Sequence, residues 1–318
     1  ILKIKSNNQD HVNQLSSDIK KKLFENLNID KIDIQIELEN VETNFQKNKI
    51  EGIKNIIAVG SCKGGVGKST IAINLATELS KEYKVGFLDL DIYGPSLPLM
   101  IGEKQTPKII NQKLIPIKKY GMQLMSFGFL NQGDAPAIWR GPMVAKLTNQ
   151  FFDNVDWKDL DFLIIDLPPG TGDIQLTLAQ KLSLDGVVIV TTPQKISLED
   201  VRKGSEMFKK VKVPILGIVE NMSSLSLYGK FTSNTNKDNS GNIVVEGVEK
   251  PIIVNDKGEF EVNLEVFKGP GGLSESQRLD VPLLGSIPLD SMLSVSVDNG
   301  TPFMLKHNNN TTAKEFIK

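Results

Sequence analysis

The segment Cys62-Lys63-Gly64-Gly65-Val66-Gly67-Lys68-Ser69-Thr70 constrains this chain more than any other. An apolar run from Asn55 to Val59 leads into it. Beyond it, from Ser69 to Glu82, Ile71, Leu75, Ala76 and Leu79 recur at helical spacing. Strand, glycine-rich turn and helix, in that order, make a cradle for phosphate. Glycines let backbone N–H groups approach anionic oxygens, and the helix N-terminus adds positive potential. In such a loop the backbone from Gly64, Gly65, Val66 and Gly67 to Thr70 wraps the phosphates. Lys68 would then reach the β- and γ-phosphates of a bound ATP, and the Ser69 hydroxyl would ligate Mg²⁺. The strict pattern places a glycine where Cys62 stands. Cys62 must therefore hold a conformation open to any residue, or the loop is altered.

The rest of the chain supplies the setting. Continuous apolar runs at Ile56–Val59, Val85–Leu90, Phe162–Ile165, Val187–Val190, Ile215–Val219 and, more weakly, Leu283–Ile287 alternate with amphipathic stretches of helix length. Strands apolar on both faces and separated by helices predict an α/β fold with a doubly wound, mostly parallel sheet. Ser197-Leu198-Glu199-Asp200 has the form of a capping box that would start one helix. Ligands in such folds sit beyond the carboxyl ends of the strands, so functional residues should follow the apolar runs.

They do. Phe162-Leu163-Ile164-Ile165 ends in Asp166, as a Walker B strand would, and Asp166 would hold the Mg²⁺ shell through water. Pro168-Pro169-Gly170-Thr171-Gly172-Asp173 follows; Pro169, Gly170 and Gly172 define a loop able to rearrange as a γ-phosphate comes and goes. Asp89 and Asp91 close the second apolar run, where carboxylates face metal or water rather than phosphate. Asn221 ends a further strand with an amide that can both donate to and accept from an adenine edge, and Pro288 is expected to close the other side of the base.

Upstream of the loop the pattern changes. Ile1 to Ile4 is strand-like, Asp10 to Leu27 carries a helical pattern, and Ile32, Ile34, Ile36 and Leu38 alternate with polar residues. This α+β piece, residues 1–45, is too small for a core of its own, and the opening residues read as the middle of a domain, implying more chain upstream. A linker at 46–53, a main domain at 54–305 and a polar tail at 306–318 complete the expected organisation. A net charge of −1 gives no global basic field for nucleic acid, and no run is long and apolar enough to span a membrane. The single cysteine rules out an intrachain disulfide and fits a cytoplasmic setting or an organelle such as a plastid. His11 and His307, outside every motif, read as solvated surface residues.

The two-lysine loop Lys63-Gly64-Gly65-Val66-Gly67-Lys68-Ser69-Thr70 resembles that of the deviant Walker A ATPases, among them division-site selectors and plasmid-partition proteins. Asp91-Ile92-Tyr93-Gly94-Pro95-Ser96, Trp139-Arg140-Gly141-Pro142-Met143, Asp166 to Asp173, Glu220-Asn221-Met222 and Pro282 to Pro288 narrow the resemblance to the Mrp/ApbC/Nbp35 branch over residues 54–305. The N-terminal piece resembles the carboxyl half of a MIP18-type domain. The resemblance implies an ATP-gated homodimer that assembles or carries iron–sulfur clusters for apo acceptor proteins. It also implies that Lys63 crosses to the partner's nucleotide, that Asp91 orients the attacking water with Asp89 in support, and that Asn221 binds adenine. Lys63 as a solvated loop lysine and Asp91 as a polar strand end remain the plain alternatives.

One departure stands out. Many members carry a Cys-x-x-Cys pair soon after Glu-Asn-Met, where a dimer could hold a cluster. This chain has Ser223-Ser224-Leu225-Ser226-Leu227-Tyr228 there, followed by a polar insertion from Gly229 to about Glu265. Cys62 beside the phosphates reads better as a small filler than as a ligand. An alternative without clusters is a positioning ATPase of the MinD/ParA type. Its membrane form needs a basic amphipathic tail, which residues 304–318 are too polar to make.

Overall fold

The computed structural model describes residues 50–92, 94–130, 151, 154–230, 241–243, 252–308 and 310–318. Of the first fifty it also describes 2–4, 14, 17–19, 21–22, 25 and 36–38. Contacts divide the chain into Ile1–Gln46 and Lys47–Lys318. In the first unit, strand Leu2–Ile4 pairs in parallel with Ile36–Leu38, and the described residues between them are helical.

The second unit is built on one eight-stranded sheet. Its strands are β1 (Ile53–Gly60), β2 (Val85–Asp89), β3 (Ile117–Lys119), β4 (Met122–Ser126), β5 (Leu160–Asp166), β6 (Gly186–Thr191), β7 (Ile215–Asn221) and β8 (Leu283–Ile287). They lie in the order β8-β7-β6-β1-β5-β2-β4-β3, parallel throughout except for the edge strand β3. All six apolar runs of the sequence are parallel strands here. β4 is not among them, because Gln123 and Ser126 interrupt its apolar signal.

Alternate residues of each central strand feed opposite cores. Ala58, Leu88, Leu163, Ile165, Val187 and Ile189 face one cluster with α2 (Asp173–Lys181) and α3 (Lys195–Lys210). Val59, Phe87, Ile164, Val188 and Val190 face the other, with α1 (Lys68–Leu79). A strand greasy on both sides can sit only between two helical layers, which is why these runs do not alternate.

Four expectations change. Helix α3 starts at Lys195 with Gln194 at its cap and no side-chain cap bond. Ser197 is turned inward, its hydroxyl 2.9 Å from that of Thr192, so the capping-box reading fails. The first turn lies against the loop before it, and burial claims the serine. Residues 306–318 are not simply a polar tail. Asn310 caps a last helix, Thr311–Ile317, whose Thr312 donates to Asp290 at 2.7 Å and whose Ala313 is buried. His307 stacks on Phe303, with ring centroids 4.8 Å apart. Within the polar insertion, strands Leu225–Lys230, Glu259–Leu264, Ile252–Val254 and Gly241–Ile243 form an antiparallel sheet, with Ile252, Val254 and Val262 buried. The Trp139 to Met143 motif and Tyr93 lie outside the described residues. Among the described residues no helix is long and apolar enough to cross a membrane.

Candidate functional site

The parallel register brings the separated motifs to one end of the sheet. Val59 pairs with Asp166 across β1 and β5, and Asp89 pairs with Asp166 across β2 and β5. The chain leaves β1 at this end and turns through the glycine loop into α1. Gly65 and Gly67 have φ of 80° and 82°, a left-handed backbone that glycine adopts without a Cβ penalty. A Cβ on Gly64 or Gly65 would meet no atom within 4 Å, so the loop presents bare backbone. At Gly67 the reason for glycine is different, since a Cβ there would lie 2.2 Å from the Asn221 amide nitrogen.

Lys68 is the charged centre. It is only 6 % exposed, donates to the Asp166 carboxylate and lies 3.2 Å from the Ser69 hydroxyl. Burial pushes the Asp166 carboxyl upward, and the ammonium of Lys68 opposes that push. One Asp166 oxygen, Oδ2, is buried without a hydrogen-bond partner among the described residues. A buried acceptor left unmet beside a hydroxyl and a phosphate cradle fits a hydrated divalent cation, and the residues present therefore suit Mg²⁺.

Asp89 organises the neighbouring loop. Its Oδ1 accepts from the Asp91 N–H at 3.0 Å, and its Oδ2 accepts from the Leu97 N–H at 3.2 Å and the Ser126 hydroxyl at 2.9 Å. Burial, and then the charge of Asp166, raises the Asp89 carboxyl to about 7. Asp91 is half-buried and accepts from the Gly94 N–H at 3.2 Å. Ser126 carries no motif, and only the placement of β4 beside β2 reveals it.

The remaining expected residues are distributed around this centre. Lys63 is half-buried, and its carbonyl accepts from the Ser61 hydroxyl at 2.9 Å. The loop after β5 is tied back by the Leu167 N–H, which donates to the Val59 carbonyl at 3.0 Å, and by the Gly170 N–H, which donates to the Ser61 carbonyl at 2.9 Å, while Pro169 and Gly172 are exposed. Asn221 is buried and donates to the Val66 carbonyl at 2.9 Å, so its amide nitrogen braces the phosphate loop. Pro288 follows Ile287, which pairs with Asn221 across β7 and β8.

Cys62 is absent from the residues with positive φ, so the cysteine sits where glycine is usual without backbone strain. Its side chain fills a slot against α3: a Cβ on Gly204 would lie 2.0 Å from the Cys62 sulfur. Burial, and then the charge of Asp200, pushes the thiol up to about 12. A thiol so placed stays protonated and unreactive at neutral pH. Nothing in the sequence around Gly204 announces this pairing.

A phosphate loop, a Walker B carboxylate and a parallel sheet in this order define a P-loop NTPase of MinD/ParA-like fold. Residues 52–237 match the family model ParA, described as NUBPL iron-transfer P-loop NTPase, and the chain belongs to that family. It is 42% identical to an iron–sulfur cluster carrier protein of Aquifex aeolicus over 86% of this chain and 68% of that one. It is 40% identical to the mitochondrial iron–sulfur protein required for NADH dehydrogenase of Arabidopsis thaliana, over 84% of this chain and 77% of that one. Among solved structures, the nucleotide-binding protein of Archaeoglobus fulgidus in complex with ADP matches at TM-score 0.63 and 30% identity, covering 85% of this chain and 94% of that one. MinD of Pyrococcus horikoshii with Mg-ADP matches at TM-score 0.53 and 20% identity over 83% and 93%, a likeness of fold alone.

Proposed function

We propose that this chain binds and hydrolyses ATP with Mg²⁺ as a homodimer, and uses that cycle to carry iron–sulfur clusters to apo acceptor proteins. The observation that carries the nucleotide part is the buried set Lys68, Asp89 and Asp166, with the half-buried Ser69 hydroxyl beside Lys68, beneath an open glycine cradle. Backbone N–H groups of Gly64 to Thr70 hold the phosphates, and Lys68 turns from Asp166 to the β- and γ-phosphates. Ser69 and, through water, Asp166 would hold Mg²⁺, which would supply positive charge to offset that of the phosphates. Asp91, oriented through Asp89, positions the attacking water. The partner's nucleotide receives Lys63, whose ammonium offsets charge that develops in the transition state. Asn221 and Pro288 flank the base, and the loop of Pro169, Gly170 and Gly172 responds to the γ-phosphate.

Support for the cargo comes from the family and from the relatives' described roles. The thiolate chemistry of a cluster site does not fit this chain's own cysteine, which is single, buried and held protonated. Among the described residues no group of three or more His, Cys, Asp and Glu is placed to hold a metal ion. Cluster ligands would come from beyond the described residues, from a partner protein or from non-cysteine groups.

Two measurements test this reading. Lys63→Ala should leave nucleotide binding close to wild type while lowering hydrolysis, and wild-type hydrolysis per chain should rise with protein concentration; a rate independent of both refutes the cross-subunit lysine. Anaerobic incubation with iron and sulfide, followed by addition of an apo acceptor, should yield a loaded acceptor. Intact ATPase activity with no cluster bound or passed on refutes the carrier role.

A further inference from the structure

The switch that the proposed function requires needs a residue that senses the position of the loop after β5, and the fold offers one the motifs do not name. Gln175 lies in the first turn of α2, three residues beyond Gly172. It is 2 % exposed, yet both ends of its amide, Oε1 and Nε2, lack a hydrogen-bond partner among the described residues. Its amide nitrogen rests over Gly60, the last residue of β1, where a Cβ would meet Nε2 at 3.3 Å, Phe208 at 3.4 Å and Val187 at 3.5 Å. A polar group thus occupies an apolar niche directly under the start of the phosphate loop. Leucine or methionine would fill that niche without the penalty of an unmet amide.

We propose that Gln175 is a positioning residue of the nucleotide switch, satisfied when the 168–172 loop closes on a γ-phosphate and unsatisfied when it does not. A ligand shifts a two-state equilibrium only through interactions that differ between the states. The Gln175 amide is such a difference, because it sits on the element that the loop must carry with it. Gly170 is tied to Ser61 and Gln175 lies over Gly60, so loop and helix meet the phosphate-loop strand at successive residues. Closing the loop moves the first turn of α2 and lets the amide pair with backbone groups at the Gly60 end of β1. Its unmet state disfavours the open arrangement, and so favours the closed one.

This inference rests on the proposed ATP cycle, and Gln175→Met in the full chain tests it. Methionine keeps the length of the side chain and removes the amide; Gln175→Leu serves if the methionine protein does not fold. Without nucleotide, the variant should unfold at the same temperature as wild type or higher. ADP affinity should stay within about twofold, and kcat should fall about tenfold with KM little changed, the scale of one buried hydrogen bond. A non-hydrolysable ATP analogue should slow amide hydrogen exchange over residues 168–181 in wild type and much less in the variant, a readout that needs no turnover. A lower unfolding temperature for both variants without nucleotide would mean that the amide is satisfied in the open state, and would overturn the proposal. An unchanged exchange response and kcat would overturn it equally. If instead wild type neither binds ATP nor responds to the analogue, the ATPase reading itself has failed.

Discussion

The phosphate loop and the segment after Asn221 both follow the carboxyl ends of parallel strands, yet they depart from expectation in opposite ways, the loop from the strict phosphate-loop pattern and the segment from the cysteine pair that many family members carry. At the loop, one residue differs from the strict pattern and its surroundings adapt to it. Cys62 replaces a glycine, and Gly204 on α3 leaves the space that its sulfur occupies. After Asn221, a pair of thiols expected from the resemblance gives way to Ser223-Ser224-Leu225-Ser226-Leu227-Tyr228, which opens an antiparallel sheet with no cysteine. Phosphate chemistry depends on backbone geometry that few sequences can supply, so it tolerates one substitution with a compensating partner. Cluster ligation depends on individual side chains, and can move to other residues or other proteins without disturbing the fold.

The largest effect that would break this contrast is at the loop. Lys68→Ala should lower ATP turnover by roughly 10²–10³-fold or more, as removal of a transition-state charge does; near-normal steady-state kinetics would misplace the site. Gly67→Ala should come next. A left-handed residue with a Cβ costs about 1–2 kcal/mol before its clash with Asn221 is counted, and calorimetric ADP titration should record weaker binding.

The adaptation around Cys62 can be measured as a coupling. Gly204→Ala alone should destabilise the chain by about 1–3 kcal/mol through overpacking in denaturant unfolding. Adding Cys62→Gly should recover much of that loss, whereas independent, additive effects would show that the slot is not shared. In the folded wild type, iodoacetamide should label Cys62 far more slowly than a free thiol, and unfolding should remove the protection.

A smaller effect is set by pH. Asp89 holds its proton in the folded chain up to about 7, against an ordinary value of 3.8, so between those values the unfolded chain has released a proton that the folded chain keeps. Stability without nucleotide therefore falls as pH rises through that window and levels off above it. Asp89→Asn should flatten part of the slope in melting temperatures taken across it. Asp166, shifted in the same direction, leaves the remainder. The smallest effect belongs to the other region. Leu227 and Tyr228 are exposed on an edge strand, and changing either to serine should alter stability by less than about 0.5 kcal/mol and leave ADP binding unchanged.

Much of this was legible in the chain itself, for physical reasons. A strand buried on both faces must be apolar along its length, so six of the parallel strands announce themselves. A phosphate cradle needs glycine backbone and a lysine at fixed spacing, so Gly64 to Ser69 announce theirs, and Asp166 follows from a carboxylate ending an apolar run. Polar residues drawn into the interior hide the elements that carry them. Ser197 looked like a cap and is buried against Thr192, and β4, with Gln123 and Ser126, did not look like a strand. The last helix was hidden because only Thr312, Ala313 and Phe316 of its short length turn to the core.

The class of sheet, the phosphate loop and the absence of a cysteine pair are each written in consecutive residues or in composition. Tertiary structure alone decided which residues stand beside them: Ser126 on Asp89, Gly204 on Cys62, Asn221 on the Val66 carbonyl, and Gln175 unsatisfied over Gly60. Each of these pairs joins segments far apart in the chain, and only the order of strands and the packing of helices on them sets who meets whom. A buried polar atom satisfied in one arrangement and stranded in another leaves no mark on the local pattern.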